Sequence, residues 1–204
     1  MTPSPVHVAV FDTMADWELG YATAHITRPS WQREPGRFTI VTVGLTPDPI
    51  TTMGGIRVVP DLVLDGVRPE DSAMLILAGG DTWTEGAMAP FRAAARRFLE
   101  AEVPVAAICG ATFALALEGL LDERRHTSNA AEYLAMSGYA GAPLFRDEPA
   151  VVDGALITGS GVAPVHFAKA ILDVLGIYEP SVAESWFKLY GNRDPAGFYE
   201  LMAV

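Results

Sequence analysis

The 204-residue chain is half hydrophobic and 19% charged, and its 14 Lys and Arg stand against 25 Asp and Glu for a net charge of −11. That balance furnishes a sizeable core for a single domain over 1–204 and no basic face to neutralise phosphates, which argues against a nucleic-acid partner. The lone cysteine forms no internal disulfide, no apolar run approaches the ~18 residues of a membrane span, and the N-terminus lacks the basic and long apolar regions of a secretory signal.

These features predict a cytoplasmic protein with no membrane contact. The four histidines are scattered and no second thiol exists, so no metal-ligand spacing is present and neither metal nor cofactor is expected.

In chain order, His7 to Phe11 is a short β-branched apolar run ending at Asp12, the pattern of a buried strand. Thr13 to Asp16 then make a polar turn. Leu19, Ala22 and Ile26 recur at helical spacing, which predicts a helix over Trp17 to Ile26 with Glu18 in its first turn. Phe38 to Val43 reads as a second strand, and Gly54-Gly55 before Ile56 to Pro60 as a small hairpin or edge strand. Val63 to Pro69 reads as a loop. Met74 to Leu77 is the next strand, stopped by Ala78-Gly79-Gly80, and Ala89 to Glu102 is an amphipathic helix with Phe91, Ala95, Phe98 and Leu99 on one stripe.

The next stretch carries the chemistry. Val105 to Ile108 stops abruptly at Cys109-Gly110, and Ala111 to Glu118 follows as a helix. A strand that runs through a tight turn into a helix places this thiol at unsatisfied backbone N–H groups and the positive end of a dipole, which favour thiolate and predict a lowered pKa. The same N–H groups suit an oxyanion developing on a carbonyl under attack.

His126-Thr127-Ser128-Asn129 leads into a helix over Ala130 to Met136. Ala150 to Val152 and Ala155 to Thr158, joined by Asp153-Gly154, form a tight hairpin. Gly159-Ser160-Gly161 opens an apolar helix from Val165 to Leu175. Residues 177–204 are too aromatic for a free tail and are expected to pack on the body or on a second subunit. His25 and His166 fall inside helical stretches and read as structural or solvent-facing, and Trp17 and Trp83 either wall a pocket or pack.

Continuous apolar strands alternating with helices indicate an α/β fold with a mostly parallel sheet covered on both faces. Reactive groups then gather at the carboxyl edge, where Asp12 to Glu18, Gly79-Gly80, Cys109-Gly110 and Gly159 to Gly161 all fall on strand-to-helix turns.

Trp17-Glu18, Leu77 to Gly80, Ala107 to Gly110, Gly119 to His126-Thr127 and Ile157 to Gly161, in order over about 7–176, resemble the DJ-1/ThiJ/PfpI superfamily. The resemblance implies a flavodoxin-like three-layer sandwich related to class I glutamine amidotransferase domains, a homodimer, and a nucleophile elbow at Cys109. It implies Glu18 as the acidic partner of Cys109, His126 as the histidine near it, and the backbone of Gly80 and Gly110 as oxyanion donors. The protease-like branch carries histidine directly after the cysteine, where this chain has Gly110, so peptidase chemistry is the weaker expectation and any base is His126 or Glu18.

The expected function is a cysteine-dependent hydrolase, amidase or lyase acting on a small carbonyl or amide substrate. The alternatives are a redox-sensing or stress-protective protein with an oxidisable Cys109, and a binding module with a vestigial site.

Overall fold

The computed structural model describes residues 2–204. Nine strands and seven helices follow in the order β1 (Ser4–Ala9), α1 (Gly20–Thr27), β2 (Phe38–Gly44), β3 (Ile50–Thr51), β4 (Arg57–Val58), β5 (Leu62–Val63), β6 (Met74–Leu77), α2 (Ala89–Glu100), β7 (Val105–Ile108), α3 (Gly110–Leu117), α4 (Ala131–Ala135), β8 (Ala150–Asp153), β9 (Leu156–Gly159), α5 (Pro164–Leu175), α6 (Pro180–Tyr190) and α7 (Ala196–Met202).

Seven strands form one sheet in the order β5-β2-β1-β6-β7-β9-β8, parallel except for β8, while β3 and β4 pair as a separate antiparallel ribbon. From β1 the chain moves outward through α1 to β2, then returns to the other side of β1 and proceeds through β6, α2 and β7. Right-handed crossovers in opposite directions put α1 and α2 on opposite faces. The resulting flavodoxin-like sandwich leaves a crevice at the carboxyl ends of β1 and β6, where the strand order reverses. The central strands β6 and β7 are buried along their whole length, as continuous apolar runs between two helical layers must be.

Two local expectations shift. The first strand covers Ser4–Ala9 rather than His7–Phe11, and Glu18 belongs to a 3-10 turn, Asp16–Glu18, that precedes α1 rather than to the helix itself. Across 62–71, where 63–69 reads as a loop, the structure adds a two-residue edge strand, β5, and 3-10 turns at Leu64–Gly66 and Pro69–Asp71.

The aromatic segment after residue 176 folds into α6 and α7 against the body. Trp186 is fully buried, with its ring 5.2 Å from that of His25 and 6.3 Å from that of Tyr21, so α6 closes over α1. His25 is a structural group here: Nδ1 and the Tyr178 hydroxyl lie 2.7 Å apart, and burial pushes the imidazole pKa down to about 4. Among the described residues, no helix is long and apolar enough to cross a membrane, and no group of three or more His, Cys, Asp or Glu is arranged to hold a metal ion.

The end of α3 is tied to α2 by charge. Arg92 Nε–H donates to Glu118 Oε1 at 3.1 Å, and Arg92 Nη1–H to the carbonyls of Trp83 and Glu85 at 3.1 and 3.2 Å. Arg96 also bonds the Glu118 carboxylate. Burial raises the Glu118 pKa, but the Arg92 and Arg96 hydrogen bonds outweigh it and hold the carboxyl below its ordinary value. This link therefore stabilises the fold above the ordinary carboxylate pKa and is lost as pH falls through the depressed folded value. Arg92→Ala is expected to cost about 2 kcal/mol in urea unfolding at neutral pH, the range for a part-buried charge-assisted bond, and less in acid.

Candidate active site

Four turns meet at the carboxyl edge of the sheet. The first follows β7: the extended backbone ends at Cys109, whose φ of 57° and ψ of −123° reverse the chain so that α3 begins at the next residue. A non-glycine residue held at positive φ costs roughly 1–3 kcal/mol, and such strain collects at functional turns. Here the surroundings fix it. The Cys109 N–H donates to the Gly159 carbonyl at 3.0 Å, and the Cys109 carbonyl accepts the Thr112 N–H at 3.1 Å and the Thr112 hydroxyl at 2.6 Å. The side chain is left half-buried at the head of α3.

Glu18 arrives from the turn after β1 and is completely buried. Its Oε2 accepts the Gly79 N–H at 2.5 Å, while Oε1 is buried without a hydrogen bond of ordinary geometry. Both carboxylate and thiol press on glycines. A Cβ built on Gly161 would lie 2.8 Å from Sγ and 3.1 Å from Glu18 Oε1, and one on Gly79 would lie 3.0 Å from Sγ and 2.9 Å from Oε2. The two acidic groups thus share one pocket, and each acts on the other's titration.

The electrostatics of this pair are those of two acids in one low-dielectric space. Burial raises the Glu18 pKa, against the Gly79 N–H. Burial also pushes the Cys109 thiol up, and a charged Glu18 adds to that, while the Asn129 amide and the Gly110 N–H pull it down. The lowered thiol pKa expected from the helix terminus is therefore not the net result in the free protein, because desolvation outweighs the donors. Only one proton's worth of charge is comfortable in the pocket, so a proton held by Glu18 favours thiolate.

Gly80 and Gly110, the two expected oxyanion donors, lie side by side. A Cβ on Gly110 would lie 3.4 Å from the Gly80 nitrogen, and the Gly80 N–H has no acceptor among the described residues. Trp17 stays 52% exposed while its Nε1–H donates to the Gly161 carbonyl at 3.2 Å, which places it on the rim. Trp83 is core instead: its Nε1–H donates to the Ala78 carbonyl at 2.8 Å and its ring packs edge-on to Phe11 at 5.1 Å.

His126 is not joined to this group. It is fully buried, with Nδ1 2.8 Å from the Arg124 carbonyl, which can only accept, so Nδ1 carries the proton and Nε2 accepts from the Tyr139 hydroxyl at 3.0 Å. Neither ring nitrogen remains for Cys109, and burial lowers the imidazole pKa. The residue that reaches the sulfur lies three positions later. Asn129 Nδ2–H donates to Sγ at 3.2 Å, and its Oδ1 accepts the Gly161 N–H at 2.9 Å. Tyr133 is a second unforeseen neighbour, tilted against Phe113 with the rings 5.1 Å apart, its phenol pKa raised by burial and by the nearby Cys109 charge. In sequence Asn129 ends a polar run that leads into a helix and Tyr133 lies inside that helix, so neither residue carries a signal short of the fold.

The family model for the DJ-1/PfpI family matches residues 4–174. Two Bacillus subtilis (strain 168) proteins are similar over nearly their full lengths. The uncharacterized protease YoaZ is 38% identical over 99% of this chain and 98% of its own, and the uncharacterized protease YdeA is 33% identical over 93% and 90%. Among solved structures, a thiJ/pfpI family protein from Bacillus anthracis superposes with a TM-score of 0.92 at 39% identity, over 100% of this chain and 97% of that one. The DJ-1 superfamily protein Atu0886 from Agrobacterium tumefaciens gives 0.81 at 32% identity, over 93% and 99%.

Proposed function

Because this chain belongs to the DJ-1/PfpI family, we propose that it is a cysteine-dependent enzyme of the hydrolase or lyase kind, acting on a small carbonyl or amide substrate through Cys109. The observation that carries the reading is the pairing of a half-exposed thiol at a strained elbow with a fully buried carboxyl whose Oε1 is left without a hydrogen bond. A buried acid beside a nucleophile is the arrangement that stores and returns a proton during covalent catalysis.

With an aldehyde, Sγ attacks the carbonyl carbon, the S–C bond forms and the C=O π bond opens. The thiol proton passes to Glu18 Oε1 and then to the new alkoxide, which faces the N–H groups of Gly80 and Gly110. The adduct is neutral and needs no oxidant or reductant. With an amide, the same proton goes to the departing amine as the C–N bond breaks, and water hydrolyses the resulting thioester. Peptide hydrolysis is the weaker form of this chemistry here, although both B. subtilis relatives bear protease in their names. Gly110 follows the cysteine and both ring nitrogens of His126 are engaged elsewhere. The lone thiol suits a reducing cytoplasm, and the homodimer implied by the resemblance belongs to the same reading.

The test is a panel of small aldehydes and amides offered to the wild type and to Cys109→Ser. Turnover by the wild type that disappears in the variant is expected; no Cys109-dependent turnover anywhere in the panel overturns the reading. A second reading, oxidation sensing, draws on the N–H donors around the sulfur, which would also hold sulfinate oxygens. Mild peroxide followed by mass spectrometry separates the two: a selective gain of two oxygens at Cys109 without turnover favours the sensor.

A further inference from the structure

We propose that Asn129 aims the Cys109 nucleophile, supplying its sulfur with a donor that never titrates and so leaving Glu18 as the sole proton acceptor at the reacting atom. The inference rests on Cys109 being the reactive group, as in the reading above, but on no particular substrate.

The orientation of the amide is not arbitrary. The Gly161 backbone N–H can only donate, so the oxygen of Asn129 must face it at 2.9 Å and the NH2 must face Sγ, 3.2 Å away. One side chain thereby joins the loop that opens toward α5 to the elbow that opens α3. The segment carrying it is pinned on both sides. Thr127 N–H donates to Thr158 Oγ1 on β9 at 2.9 Å, and the Thr127 hydroxyl donates to the Glu148 carbonyl at 2.7 Å. The Ser128 hydroxyl, 2.6 Å from Thr112 Oγ1, donates to it, because the Thr112 proton is already committed to the Cys109 carbonyl. Three consecutive polar side chains therefore tie to the Glu148 carbonyl, to α3 and to the thiol, with the Thr127 backbone held on β9, which leaves Asn129 little freedom to turn away.

The consequence concerns protons. Besides Glu18, the polar groups at the sulfur are the Asn129 amide and the Gly110 N–H, both donors that do not titrate in the working range of a protein. Tyr133 lies within charge range, but its phenol is held protonated. A site with a histidine in the place of Asn129 would offer a second acceptor; this one does not.

The rate of Cys109 alkylation by iodoacetamide against pH tests the role without any substrate, so its failure is distinct from failure of the enzymatic reading. Asn129→Ala is expected to slow alkylation at pH 7 about tenfold or more and to move the rise to higher pH, as loss of a hydrogen bond to a charged group implies. Asn129→Asp keeps the shape and sets a like charge against the thiolate, so it should be slower still. Asn129→His should add a titrating step at about pH 6–7, the imidazole range. If Asn129→Ala lowers the melting temperature and leaves the alkylation profile where it was, Asn129 merely braces the loop and the proposal fails. It also fails if the wild type itself shows a step at about pH 6–7 that persists in both Asn129→Ala and Glu18→Gln, since that step would belong to a second acceptor.

Discussion

Gly161→Ala is expected to leave the fold standing and to silence Cys109. A methyl group there would be built 2.8 Å from Sγ, 2.9 Å from Cys109 Cβ and 3.1 Å from Glu18 Oε1, and contacts that short force something to move. Neither neighbour yields cheaply. Cys109 is locked at positive φ by the hydrogen bonds of its own backbone, and Glu18 is buried against Gly79. If the loop retreats instead, it drags the Gly161 N–H from Asn129 and the Gly161 carbonyl from Trp17. Every way of relieving the contact displaces the sulfur, the acid or the amide that aims the sulfur. Displacement on the order of 1 Å in such a constellation costs about 100-fold in rate, so any turnover should fall by at least that factor. Overpacking of this kind costs about 1–3 kcal/mol, which a chain of this size survives. Gly20→Ala provides the contrast. Gly20 is exposed at the start of α1, and a methyl group placed on it meets nothing within 4 Å, so activity should hold and the melting temperature should rise slightly. Equal losses in the two variants would mean that the close approach at Gly161 does not matter.

That contact explains what sequence reasoning reached and where it stopped. The convergence of Glu18, Gly79-Gly80, Cys109-Gly110 and Gly161 was legible because each lies where an apolar run ends and a turn begins, and a parallel sheet brings such points to one edge. Glycines at 79 and 161 could be placed near the site, but their reason, the bulk of Sγ and a carboxyl against bare Cα atoms, exists only in three dimensions.

Boundaries slipped where burial and strand pairing part company. Val10 and Phe11 are as buried as a strand interior because they continue under the site loops, whereas the less buried Ser4 and Pro5 begin β1 by lying alongside Phe38 and Thr39. The exchange of His126 for Asn129 has a similar origin. The two lie in an irregular stretch between α3 and α4, and no periodicity says which of its side chains turns inward to a carbonyl and which turns to the sulfur. The thiol's acidity was misjudged for an energetic reason, since a helix terminus alone omits the desolvation of the thiol by its own burial and the charge of the carboxyl beside it.

Glu18→Gln should separate the reactivity of the thiol from its use in turnover. Glutamine fills the same volume and can still accept the Gly79 N–H, so the pocket keeps its shape. It removes the one titrating carboxyl that acts on the sulfur among the described residues, and the loss of a positioned acid or base costs about 100- to 10,000-fold. Alkylation behaves differently, because iodoacetamide needs only the thiolate. Removing a carboxyl that raises the thiol pKa when charged, and replacing it with an amide that donates to sulfur, should leave alkylation at pH 7 within about tenfold of wild type or faster. Stability should move opposite to turnover. Glu18 has its pKa raised by burial, so in the wild type its contribution is fully present below the ordinary carboxylate value and is lost as pH rises through the higher folded value. Glutamine carries no such penalty, and the variant should therefore melt at a higher temperature than wild type at neutral and alkaline pH, with the gap closing in acid. A variant that turned over normally would remove Glu18 from the mechanism. One that melted lower at every pH would show that the buried carboxylate is stabilised by its surroundings after all.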